Sequence, residues 1–173
     1  MLMHTWDGDL MSVGRFIGGI GALVLNPSDD TYLLLKRADD RDYGGGNWEC
    51  VTGHVDQGEG FETALHREVM EEIGITIQIE FIVSTSHFYR GAPTPENELI
   101  GIVYCCSTAH PNAIKKSAEH SEYLWATAPE AYALLNDPNR WLHKVIERAE
   151  TIRQHLPDEL KQLHRDQGFE ITW

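Results

Sequence analysis

Residues 53–75 read GHVDQGEGFETALHREVMEEIGI, and the fold is decided by how this stretch is arranged. Glu68, Glu71 and Glu72 fall at i, i+3 and i+4. On a helix turning about 100° per residue, their carboxylates share one arc. Like charges at that spacing repel by about a few tenths of a kcal/mol per pair, so something must offset them. A hard divalent cation does this, because it takes oxygen ligands and keeps waters that phosphate oxygens can replace. Leu65, Val69 and Ile73 recur every four residues as an apolar stripe next to the acidic arc. The acids therefore line the rim of a core, as a cleft requires. Ala64 lies within the arc and is small enough to leave room for a ligand. Gly74 is placed to end the helix as a C-cap.

The stretch resembles the Nudix box, G-x5-E-x7-R-E-U-x-E-E-x-G-U, where U is a bulky apolar residue. Gly53 opens it and Glu59 follows after five residues. Arg67, Glu68 and Val69 come next, and Glu71, Glu72, Gly74 and Ile75 complete it, so every fixed position is met. Val51-Thr52-Gly53 stands where many members carry Pro-Gly-Gly, a departure in the turn and not in the acids. A solvated helix face is the ordinary reading of E-x-x-E-E alone. The glycine, the first glutamate and the arginine in register argue against it.

The resemblance implies an α/β fold, the Nudix α/β/α sandwich with a mixed β-sheet. It also implies hydrolysis of a nucleoside diphosphate linked to another moiety. Mg²⁺ is the implied cofactor, with Mn²⁺ an alternative. Glu68, Glu71 and Glu72 are implied as metal ligands and catalytic residues, with the Gly53 carbonyl as a further oxygen and Arg67 orienting the acids. Glu59 is expected to support the loop and not to bind metal. Family members often add one acid from beyond the box. Glu119 is that candidate, because Glu119-His-Ser-Glu-Tyr-Leu-Trp125 resembles the family's E-H-x-E-x-x-W run. Either Glu68 or a carboxylate outside the box would take the proton of the attacking water.

A length of 173 residues suits one domain, expected over 1–156, with 157–173 a short helix or tail packed on the domain or on a dimer partner. The net charge of −13 argues against binding a nucleic-acid duplex through a basic surface. It does not forbid a small nucleotide-diphosphate substrate, because a bound cation inverts the local field. Cys50, Cys105 and Cys106 show no C-x-x-C spacing, which fits a reducing, cytoplasmic compartment better than a disulfide framework. The opening MLMHTWDGDL lacks a basic n-region and a long apolar run, so neither a leader nor a membrane span is expected.

Around the box, strands are expected over 16–26, 31–37, 48–51, 54–55, 76–89, 98–107 and 123–126, and helices over 129–135 and 141–155. The glycine-rich loop 38–46 should lie at the cleft mouth. Arg37, at a strand end, and His54, after the box glycine, are candidates for substrate binding. Tyr43, Trp48, Phe88 and Tyr89 are candidate stacking residues, of which Tyr89 is the one carried forward as substrate-binding. Arg15, Arg90, Glu96 and Glu98 are secondary candidates.

Two other readings compete. One is a catalytically silent Nudix-fold module that binds a nucleotide or regulates a partner, but such modules usually lose box acids. The other is an isopentenyl-diphosphate isomerase-like enzyme, which would need Cys50 as a pocket nucleophile. The moiety attached to the diphosphate is not readable from the box. Arg90 stands where a proline would suggest ADP-ribose, and Gly91 to Pro93 stand where a tyrosine would suggest dinucleoside polyphosphates. That specificity is expected to lie in the loops 38–46, 87–97 and 109–119.

Overall fold

Two apolar strands make the spine of the molecule. In the computed structural model, which describes residues 14–41 and 44–171, β1 (Ile17–Asn26) and β6 (Glu98–Ser107) run parallel in register from Ile17↔Leu99 to Leu25↔Ser107. Both are nearly continuous apolar runs, as strands covered on both faces must be. They approach closely at Gly101, where a Cβ would stand 2.5 Å from the Gly19 carbonyl oxygen. The expectations for Tyr43 and for the first ten residues fall outside the described residues.

The sheet forks at β1. β2 (Thr31–Arg37) is antiparallel to β1 only at Leu25↔Tyr32 and Asn26↔Thr31. It then leaves, pairing instead with β3 (Trp48–Glu49) and β7 (His120–Ala126). β4 (Val51–His54) takes the vacated edge of β1, from Gly19↔His54 to Ala22↔Val51. β5 (Gln78–Tyr89) closes the far edge against β6, with register shifts between Ile79 and Phe81 and between Ile82 and Ser84. The expected single strand over 48–51 is two strands that diverge at Cys50, and the expected 54–55 strand is the end of β4. The fork opens between them.

Helices cover both faces, giving an α/β/α sandwich on a mixed sheet. On one face α1 (Phe61–Ile73) packs Leu65, Val69 and Ile73 against Ile20, Ala22, Val24, Leu33 and Leu35. On the other, α2 (Ala128–Leu135) and α3 (Trp141–His155) bury Leu142, Val145, Ile146 and Ala149 against Leu23, Leu25, Phe81 and Val103. α2 begins one residue before the expected Pro129. Thr127 caps it, accepting from the Glu130 N–H while Glu130 accepts from the Thr127 N–H at 2.8 Å. α1 ends at Gly74, left-handed at φ 68°, whose N–H bonds to the Met70 carbonyl.

The tail returns to this fold. α4 (Asp158–Gln167) lies along β5, with Arg165 paired to Glu80 at 2.7 Å. Beyond it, Glu170 accepts from the Phe61 N–H at 2.7 Å and the Glu62 N–H at 3.2 Å, satisfying two donors at the start of α1. Glu62 in turn accepts from the backbone N–H groups of Phe169 and Glu170.

Candidate active site

The box helix brings its acids to the fork, and Arg67 organises them. Arg67 forks onto Glu59 at 2.9 and 2.8 Å and donates to the His54 carbonyl at 2.9 Å. It also reaches Glu68 at 2.9 Å and Glu71 at 3.4 Å. Glu59 accepts from the Asp56 N–H at 3.1 Å, so it ties loop, arginine and helix together. The Arg67 hydrogen bonds, followed by that backbone bond, hold the Glu59 carboxyl down at about 2. Glu68 accepts from the His54 N–H at 3.1 Å and lies flat against Gly53. A Cβ on Gly53 would stand 2.1 Å from the Glu68 carboxyl carbon, so only glycine fits here.

Glu72 is the electrostatically strained member. It is 7% exposed, and its Oε2 has no hydrogen-bond partner. Burial first, then the charges of Glu49, Glu68 and Glu119, push its carboxyl up to about 9. Glu49 also sits at the fork, on two-residue β3. It accepts from Arg37 at 2.9 Å and bonds to Nε2 of the buried His120 at 3.0 Å. That same Nε2 is 3.9 Å from Glu72 Oε2. Glu49 and His120 were not singled out from the sequence. Glu49 lies on a half-buried two-residue strand, and nothing local in the sequence marks it. His120 stands inside the run read for Glu119.

The other expected residues are placed as follows. Glu119 is half-exposed at the cleft and ion-paired with Arg41, which lowers its carboxyl below the usual range. Arg37 lines the cleft, as its reading as a substrate-binding candidate requires, and is largely buried against Glu49 at 2.9 Å. His54 Nε2 meets Arg90 at 2.6 Å. Burial, and then the Arg90 charge, lower its pKa. Tyr89 does not line the cleft: it packs edge-on against His87, and Phe88 takes the lining position. Cys50 is fully buried and its thiol is pushed up by desolvation, so it is a core residue and no nucleophile.

The cleft measures about 1070 Å³ and runs from these acids across the bare sheet floor at Gly19, Gly21 and Gly101 to α3. Loops 38–46, 87–97 and 109–119 reach it through Arg41, Phe88 and Glu119, as expected. The α3 wall, carrying Trp141, was not foreseen. The hydrophobic spacing of α3 marks its buried side only, and says nothing of what its polar side faces.

The donor set fits a hard divalent cation. Glu72 holds an unpartnered oxygen among like charges, and Glu68 is clamped beside the Gly53 backbone. Among the described residues, no three acids, histidines or cysteines form a closed cage. Ions of the Mg²⁺ kind rarely use one, taking one or two carboxylates with waters and substrate phosphates completing the shell.

The NUDIX domain profile matches residues 16–149. The nucleoside triphosphatase NudI of Shigella flexneri is 31% identical over 105 residues, 57% of this chain and 74% of that protein. Among solved structures, a MutT protein from Methanosarcina mazei Go1 superposes with a TM-score of 0.65 at 25% identity, covering 81% of this chain and 96% of the other. The E. coli dihydroneopterin triphosphate pyrophosphohydrolase gives a TM-score of 0.59 at 27% identity, covering 78% and 96%.

Proposed function

The chain belongs to the NUDIX family, hydrolases of diphosphate bonds, and from that premise we propose that it is a Mg²⁺-dependent pyrophosphohydrolase of nucleoside diphosphates linked to another moiety. The observation that carries the reading is Glu72, a buried carboxylate with an unpartnered oxygen facing three other acids. Leaving such a group without a compensating cation is costly. The names of two relatives, a nucleoside triphosphatase and a pyrophosphohydrolase of a triphosphate, support a nucleotide-like substrate.

Glu68, Glu71 and Glu72, with the Gly53 carbonyl and Glu119, would hold the cation. When bound it supplies charge neutralisation for the phosphates and a lowered pKa for an attacking water. Arg67 fixes the acids before substrate arrives, so little reorganisation is left for the reaction itself. Either Glu68 or a carboxylate outside the box, of which Glu119, ionised beside Arg41 and open to the cleft, is the candidate, would accept the water's proton.

A substrate panel decides this. Purified protein with Mg²⁺ is offered nucleoside triphosphates, nucleotide sugars, ADP-ribose and dinucleoside polyphosphates, and released phosphate and pyrophosphate are scored. Turnover of at least one class, abolished by chelator, is expected. No turnover on any of them would sink the reading.

A further inference from the structure

Arg140, at the N-cap of α3, and Lys144 and Arg148 on the helix recur every four residues, and all three line the same cleft as the acids. This spacing works against the helix. Like charges at i, i+4 repel, and cations in the N-terminal half oppose the helix dipole. No acid stands in the first turn of α3 to offset them. Arg140 donates to Asn47 at 3.0 Å. The side chains of Lys144 and Arg148 are exposed and have no hydrogen-bond or ion-pair partner among the described residues.

In a chain with 27 acids and 14 lysines and arginines, neighbouring cations without partners are unusual. A merely solvated face would hold acids three or four positions from each cation. Lys144 has Glu147 three positions on, with which it makes no ion pair, and Arg148 has no acid at those positions, its neighbours being Lys144, Val145, Thr151 and Ile152. Across the groove, edge strand β5 lines the same cleft with Ser84 and Ser86, and Ser86 accepts from the Trp141 indole N–H at 3.2 Å. At about 1070 Å³ the cleft is as large as the upper end of small-molecule sites, with room for more than the diphosphate being cleaved.

We propose that Lys144 and Arg148 form an anion-recognising wall that binds a further phosphate of the substrate, beyond the diphosphate cleaved at the acids. The proposal rests on the function given above for the same cleft. The wall makes the enzyme select phosphate-rich substrates. Ser84 supplies a hydroxyl donor across the groove. The extra phosphate can sit on the attached moiety or further along a polyphosphate chain, and both present the same oxyanion to the two cations.

Two probe pairs separate these sources. NADPH and NADH differ by one phosphate on a sugar, whereas ATP and ADP differ by one phosphate in the chain. With the parent enzyme, the phosphate-rich member of at least one pair should have a KM lower by about tenfold, the worth of a charge-assisted contact. In Lys144→Gln/Arg148→Gln the two members should come within about twofold, the change lying in KM and not kcat. The pair that responds identifies the source. No preference in the parent, or the same preference in parent and variant, overturns the wall. Calorimetric Kd values for the same four probes in excess chelator repeat the comparison without turnover. If neither these probes nor any member of the substrate panel is hydrolysed, but the chelated protein shows the preference and the variant loses it, the hydrolase reading fails and the wall stands. If the chelated protein shows no preference either, the wall fails too.

Discussion

Glu72 concentrates the chemistry of the site in one side chain. Its carboxyl titrates near 9 in the folded chain against 4.5 ordinarily, so the fold holds a proton that the unfolded chain releases. With the folded value raised, stability is fullest below about pH 4.5 and falls as pH rises toward 9. Glu72→Gln, which cannot ionise, should flatten that slope. The metal-free variant should melt higher than its parent at pH 8 and about equally at pH 4, while hydrolysis drops by roughly a hundredfold or more. Parallel melting curves at both pH values would show that the carboxyl is not strained. The acids and Arg67 were legible because their spacing is periodic. Glu49 and His120 were not, because β3 and β7 are brought together only by pairing with the two edges of β2.

At the scale of elements, the fork in the sheet creates the site. β1 gives one edge to β6 and divides the other between β2 and β4, and the acids of α1 enter where the two diverge. The close approach of β1 and β6 at Gly101 makes this geometry intolerant of a side chain. Gly101→Ala should force the strands apart and cost several kcal/mol, on the order of an overpacked core, read as a lowered denaturant midpoint. Thr127→Ala is the contrast. It removes only the capping box of α2, far from the acids, and should cost about 1 kcal/mol with kcat unaltered. A loss of activity in that variant would mean that α2 is coupled to the cleft. Strands and helices were readable from composition and period to within a few residues. The division of 48–54 into two diverging strands was not, because each half reads as extended and nothing local says which neighbour it joins.

Across the whole molecule, the C-terminal tail holds the start of the box helix. Glu170 accepts from the Phe61 and Glu62 N–H groups, and Gly60 has no side chain that could do so instead. Glu170→Gln keeps a weaker acceptor and loses the charge at the positive end of α1. It should cost about 1 kcal/mol and loosen the first turn, seen as faster amide exchange at 61–64 with the rest of α1 protected. Uniform protection across α1 would mean that the tail does not hold it. The sequence by itself determined the complete box with its spacing of acids, the buried stripe of α1 and the sandwich class. These follow from spacing along one helix and from the alternation of apolar runs, which are local. Only the tertiary structure decided that Arg37 pairs with Glu49 at the cleft wall. It also decided that Phe88 and not Tyr89 lines the cleft, that the tail caps α1, and that the cations of α3 share a cleft with the acids of α1. Each of these depends on which strands pair and which helix faces cross the sheet, and such contacts join residues dozens of positions apart with no shared periodicity to announce them.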